Sequence, residues 1–280
     1  MKFRALLILP ICLFIVSGCD GPPARDGGGS SGAGDSTFST VVSRGTINCG
    51  FIAYQPAIYT DEKGKVVGIF AETMERAAQN LDLKVNWIEG NWPDLIPNLT
   101  SKRWDAYCGS AWKNAPRIKA ADFGTPLYYS YLSVWAAGGT GLDLASLNRA
   151  ELKVAVLDGD TSLAVANQRF PEVTQVSLTE LNSYSDLFDL VVSGRADFTI
   201  AEASYVDLYL RSKGDKALES VGAPIQIYPN AMMFRKEDDD LRRALDGAIE
   251  ELVNQGFLDE KIMQYAEGQV LPLAKPYQMP

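Results

Sequence analysis

The chain has 280 residues, 46% hydrophobic and 22% charged, with 35 acidic against 26 basic side chains, no histidine and a net charge of −9. Those proportions are globular, and the acidic balance gives no electrostatic affinity for nucleic acid. The lack of histidine removes Ser-His-Asp and Cys-His catalysis and most zinc sites. No cofactor and no metal are expected, while carboxylate chemistry stays open.

The N-terminus speaks to compartment. Met1-Lys2-Phe3-Arg4 is a short cationic start, Ala5 to Val16 is apolar apart from Pro10, and Ser17-Gly18-Cys19 ends in small residues and a cysteine. The run is too short to cross a bilayer and no stop-transfer pattern follows, so residues 1–18 read as a secretory signal peptide. Val16-Ser17-Gly18-Cys19 also resembles the lipobox of bacterial lipoproteins, which implies that Cys19 is lipidated and that the mature chain starts there. Loss of Lys2 and Arg4 takes the net charge to −11. Asp20 to Asp35 is rich in Gly, Ser and Pro and cannot bury a core, so residues 19–37 read as anchor and flexible linker. What remains is long for one core and comfortable for two lobes.

From Phe38 onward strand and helix patterns alternate. Thr46 to Ile52 is a short apolar strand. Phe70, Met74, Ala77 and Leu81 recur at helical spacing within Ile69 to Leu81. Leu83, Val85 and Trp87 alternate with polar residues as a strand does. Asp94 to Leu99 fits a short helix and Asp105 to Ser110 another strand. After Gly138 to Asn148, read as a separator, the rhythm restarts. Lys153 to Leu157 is a strand, a helix starts near Ser162, Ser185 caps a helix to Val192, Asp197 to Ala201 is a strand, and Ser204 to Leu210 a helix. Asp240 to Asn254 places Leu241, Ala244, Leu245, Ala248 and Leu252 on one face, with acids at its start and Gly256 past its end. The reading is two α/β units with parallel sheets rather than one long sheet. In such sheets ligands bind at the carboxyl ends of strands. Phe51 to Pro56, Gly109 to Arg117, Asp158 to Ser162, and Glu202 are therefore the stretches to inspect.

At those stretches the chain resembles the polar amino-acid family of bacterial solute-binding proteins, the receptors of ABC importers. The resemblance spans Ser43 to Glu267. It is carried by Trp92-Pro93-Asp94-Leu95-Ile96-Pro97-Asn98-Leu99 with Asp105, Pro116-Arg117-Ile118-Lys119, Asp122-Phe123, Pro126-Leu127-Tyr128, Gly159-Asp160-Thr161-Ser162, Gly194-Arg195-Ala196-Asp197, Phe234-Arg235-Lys236 and Gly256-Phe257. It implies a two-lobed periplasmic-binding-protein fold of type II, each lobe a mainly parallel sheet flanked by helices. Lobe 1 would be residues 38–130 plus 233–280, and lobe 2 residues 131–232. The chain would cross twice, near Tyr129–Val134 and Tyr228–Met233, and these crossings would form the hinge.

The resemblance also assigns roles. Arg117 would grip the ligand carboxylate, for which a planar guanidinium is suited and lysine is not. Glu202 would accept the ligand ammonium, standing where the family usually has aspartate. Thr161, at a helix start, and Ser110, after a strand, would donate to the ligand. Tyr54 and Trp92 would sandwich its side chain. Phe51 and Trp112 replace smaller or more polar residues of relatives and point to a neutral or apolar amino acid, with a quaternary or otherwise modified amine boxed by aromatics as the alternative; Asp158 is a further pocket candidate. Cys49 and Cys108 fall on neighbouring strands, where a disulfide and two buried thiols both stand as readings. The implied protein is a monomeric receptor, held by its lipid on the outer face of the cytoplasmic membrane, that serves an ABC permease and is not an enzyme. Two rivals share the fold. One resembles cyclohexadienyl dehydratase, with Glu202 as general acid; the other is a ligand sensor without a transport role.

Overall fold

The computed structural model describes residues 36–179, 181–214, 217–266 and 268–273. The signal peptide, Cys19 and the Asp20–Asp35 tether lie outside the described residues. The described residues begin just before the expected end of the linker at 37. Ser36 caps helix α1 (Thr37–Arg44), its hydroxyl accepting from the Ser39 amide at 3.2 Å, and Gly45 closes the helix in the left-handed region.

The first unit continues with β1 (Thr46–Phe51), the small hairpin β2 (Tyr59–Thr60) and β3 (Val66–Val67), α2 (Ile69–Asn80), β4 (Lys84–Glu89), α3 (Leu95–Thr100), β5 (Ala106–Trp112), α4 (Ala115–Ala120) and β6 (Asp122–Phe123). A long strand, β7 (Tyr128–Ala137), leads by a turn and a 3-10 segment at Leu144–Ser146 to β8 (Lys153–Leu157), α5 (Thr161–Arg169), β9 (Thr174–Leu178), α6 (Tyr184–Val192), β10 (Phe198–Glu202), α7 (Ala203–Lys213) and β11 (Leu218–Ser220). A second long strand, β12 (Gln226–Phe234), returns to α8 (Asp239–Asn254) and α9 (Phe257–Ala266).

One local reading is corrected. Ser185 does not cap α6. Ser183 does, in a reciprocal box with Asp186: each side chain accepts from the other's backbone amide. Ser183, two residues upstream of Ser185, and Asp186 stand at the Ser-x-x-Asp spacing that such a box requires. At α5 the cap is Asp160, which accepts from the Ser162 amide at 2.7 Å, and Thr161 is the first helical residue.

The sheet is α/β and mixed. β4, β1 and β5 are parallel neighbours, as are β10, β8 and β9. The two sets are not separate sheets as expected. β12 and β7 stand between them, antiparallel to each other and to their outer neighbours, in the order β4-β1-β5-β12-β7-β10-β8-β9. The strands expected to be crossings thus pair with one another, Gln226 opposite Leu132 through Asn230 opposite Tyr128. That pairing satisfies their backbone groups and fuses two parallel sets into one path.

Side chains sort on either side of this seam. One set of apolar cores draws on residues 41–128 and 231–270, with α2 contributing Phe70, Met74 and Ala77 and α8 contributing Leu241, Leu245, Ala248 and Leu252. The other draws on residues 132–225, with Val154, Val156, Phe198 and Ile200 from the strands. Each fully buried side chain of this size contributes about 1.5–3 kcal/mol, enough to hold each set together. β1 and β5 are also joined covalently, by a disulfide between Cys49 and Cys108 with Cα atoms 5.4 Å apart. Gly50 is obligatory beside it: a Cβ there would lie 1.9 Å from the Trp104 ring.

Candidate functional site

A cavity of about 530 Å³ opens at the carboxyl ends of β1, β5, β8 and β10. Tyr54, Trp92, Ser110, Trp112, Arg117, Thr161 and Glu202 all line it. Strand direction explains why. Each parallel strand delivers its last residue and the following loop to the same edge, so residues far apart in sequence converge there.

Phe51 is not among them. It is 2% exposed and packs edge-on against Trp87, ring centroids 5.8 Å apart. The reason is the strand period: Ile47, Cys49 and Phe51 share one face of β1, and that face is core. Asp158 is not in the lining either; it is exposed in the turn after β8. Both pocket candidates are therefore withdrawn. In exchange, Asp160, Tyr184, Tyr205 and Asn230 line the cavity and were not singled out as site residues.

Arg117 is positioned by its own short helix. Asn114 caps α4 by accepting from the Arg117 amide at 3.1 Å, and Pro116 supplies a preset helical φ. The guanidinium lies over the Trp92 ring at 5.3 Å and donates to the Trp112 carbonyl at 3.3 Å. Burial holds its pKa below the ordinary value. Trp112 is itself fixed by parallel stacking on Tyr228, centroids 4.3 Å apart.

Glu202 is the last residue of β10 and 5% exposed. Its carboxylate accepts from the hydroxyls of Tyr54 and Ser204 on one oxygen and from Ser130, at 3.3 Å, on the other. Burial pushes its pKa up to about 7; the hydroxyl donors oppose that rise and the nearby charge of Asp160 adds to it. The network continues away from it. Asn230 donates to Ser130 at 2.8 Å and accepts from Ser110 at 2.7 Å, and Ser110 meets the Tyr128 hydroxyl at 3.2 Å. One buried chain of hydrogen bonds therefore runs from β5 through β12 and β7 to β10. Ser110, expected to donate to a ligand, spends its proton on Asn230 here.

Two further cavities, of about 580 and 720 Å³, lie behind Tyr54 and Tyr205 and against α2. In the first Asp207 pairs with Arg211, and in the second Glu72 with Lys261. Other charged residues of their linings, Glu89 in the first and Glu75 and Arg76 in the second, form no ion pair among the described residues but are exposed, whereas the unpaired charges of the 530 Å³ cavity are buried or half-buried. Arg117, Asp160 and Glu202 line it, and none has an ion-pair partner among the described residues. Half-buried and buried charges without partners are costly, and a ligand of complementary charge removes that cost. Among the described residues no group of acidic or cysteine side chains is arranged to hold a metal, and no helix is long and apolar enough to cross a membrane.

The chain belongs to the bacterial extracellular solute-binding proteins, family 3, whose model matches residues 47–268. Among curated relatives, a probable amino-acid ABC transporter-binding protein of Haemophilus influenzae is 24% identical over 74% of this chain and 79% of its own length. The lysine/arginine/ornithine-binding periplasmic protein of Escherichia coli is 26% identical over 78% of this chain and 85% of its own. Among solved structures, a putative ABC transporter binding component of Wolinella succinogenes, complexed with lysine, superposes with a TM-score of 0.68 at 21% identity, covering 79% of this chain and 96% of that one. An ancestral amino acid-binding protein, described as a precursor of cyclohexadienyl dehydratase, superposes with a TM-score of 0.67 at 24% identity, over 82% and 99%. These likenesses establish the type II periplasmic-binding-protein fold for this chain, and the curated relatives named are binding proteins.

Proposed function

We propose that this solute-binding protein is the receptor of an ABC importer, capturing a zwitterionic amino acid or amino-acid-like molecule in the 530 Å³ cavity and delivering it to a permease. One observation carries the reading: Arg117 and Glu202 face one cavity from opposite sides of the seam, and neither has a counter-ion among the described residues. A ligand carboxylate suits the guanidinium fork, and the ligand's positive end then falls toward Glu202. Leu95, Ile96, Trp112 and Leu157 supply an apolar wall that favours a neutral or apolar side chain. Phe51 takes no part in that preference.

Residues 38–130 plus 233–280 and residues 131–232 are proposed as the two lobes. The segments Tyr129–Val134 and Tyr228–Met233 would act as hinge, and the division of the apolar cores along the chain supports this. A ligand held by Arg117 in one lobe and near Glu202 in the other would bridge them and favour closure. The receptor is proposed to act as a monomer on the outer face of the cytoplasmic membrane, lipid-anchored through Cys19, and not to be an enzyme. The rival dehydratase reading has one observation in its favour, the raised pKa of Glu202, which suits a general acid at neutral pH. A thermal-shift screen against amino acids, betaines and prephenate separates them. Stabilisation by an amino acid without turnover supports the receptor; turnover of prephenate overturns it.

A further inference from the structure

In the cavity wall stand two carboxylates, each faced by a tyrosine. The Tyr54 hydroxyl donates to Glu202, and the Tyr184 hydroxyl donates to Asp160 at 2.5 Å. Tyr205 joins the two rings. It meets Tyr54 edge-on with centroids 5.4 Å apart and stacks on Tyr184 at 3.9 Å with planes 12° apart. All three residues line the cavity.

This arrangement offers a cation much negative potential and carboxylate oxygens that already accept from the protein, each keeping at most one lone pair free. The oxygens of Glu202 are already engaged by the hydroxyls of Tyr54, Ser204 and Ser130, and those of Asp160 by the Tyr184 hydroxyl and the Ser162 amide. A primary ammonium brings three N–H donors, and each needs an acceptor within hydrogen-bonding reach once water is excluded. A methylated ammonium has no such need. Its charge is spread over a C–H surface that ring faces hold well, and a phenol donating to a carboxylate has a more electron-rich face than a free one.

We propose that the positive end of the ligand is a methylated ammonium seated against Tyr54, Tyr184 and Tyr205, so that the ligand is betaine-like, with its carboxylate on Arg117. The inference rests on the carboxylate assignment made under the proposed function and replaces the simple ammonium by its methylated form.

The test is calorimetry on the purified chain with two series: glycine and its N-methyl, N,N-dimethyl and N,N,N-trimethyl derivatives, and phenylalanine with its N,N,N-trimethyl derivative. Affinity is expected to rise by about tenfold or more from a parent amino acid to its trimethylated form. Tyr205→Leu should erase that gain and Tyr205→Phe should keep it, since the ring and not the hydroxyl carries the contact. A parent amino acid that binds as tightly as its trimethylated form overturns the inference and leaves the amino-acid receptor standing. Failure of every member of both series, with no binding at millimolar concentration, counts against both readings. The wild-type series decides whether or not the Tyr205→Leu variant folds.

Discussion

The hydroxyl of Tyr54 donates to the carboxylate of Glu202, 148 positions later in the chain. Tyr54 follows β1 and Glu202 ends β10, on opposite sides of the β12–β7 seam. This buried hydrogen bond thus links the two halves of the cavity, and the ionisation of one acid bears on both halves.

That acid should leave a signature in stability. The Glu202 carboxyl titrates near 7 in the folded chain against an ordinary value of 4.5. Between those values the folded state binds more protons than the unfolded one, so stability falls as pH rises through that window and levels off above it. The fall attributable to this group is on the order of 3 kcal/mol. Urea unfolding from pH 4.5 to 8 should show it, and Glu202→Gln should flatten the profile. An unchanged slope in that variant would assign the effect to other groups.

Arg117 should matter to binding and little to folding. Its guanidinium touches Trp92 and the Trp112 carbonyl and neutralises no acid among the described residues. Arg117→Ala should weaken binding by well over tenfold, about 2–5 kcal/mol, by leaving the ligand carboxylate unpaired. The melting temperature of the empty protein should hardly move. Arg117→Lys should fail to restore affinity, because an ammonium cannot make the bidentate contact.

The Cys49–Cys108 disulfide closes a loop with a sequence separation of 59. On the chain-entropy account a loop of that length is worth up to about 4 kcal/mol. Reduction, or replacement of both cysteines by alanine, should lower the denaturant midpoint. The ligand should still bind, because neither cysteine lines the cavity. Loss of binding at a temperature where the reduced chain is folded would contradict this.

The anchor is tested separately. Cys19→Ser should release the protein from washed membranes in soluble form, since stable attachment needs acyl chains that only the cysteine thiol can accept first. Undiminished membrane association of that variant would exclude the lipobox.

Much of this was legible in the sequence, for a physical reason. Arg117, Thr161 and Glu202 each follow a strand pattern, and parallel strands deliver their following residues to one edge. Phe51 was misread because adjacency to a strand end outweighed the strand's own alternation, which sends it to the core with Ile47 and Cys49. Tyr184 and Tyr205 left no local signal. They sit in the first turns of α6 and α7, and only the packing of those helices brings their rings together at 3.9 Å. Nor did alternation along β7 and β12 reveal that the two pair with each other, since pairing between distant strands is a tertiary choice.

The central claim is that one ligand spans Arg117 and Glu202 with charges of opposite sign. Titration calorimetry tests it most directly, comparing the best ligand from the screen with its deaminated and its decarboxylated analogue on the same protein. Each analogue should bind at least about tenfold more weakly, because each strands one of the two charged residues. A deaminated acid that binds as tightly as the parent would contradict it, and would mean that Glu202 does not sense the ligand's positive end.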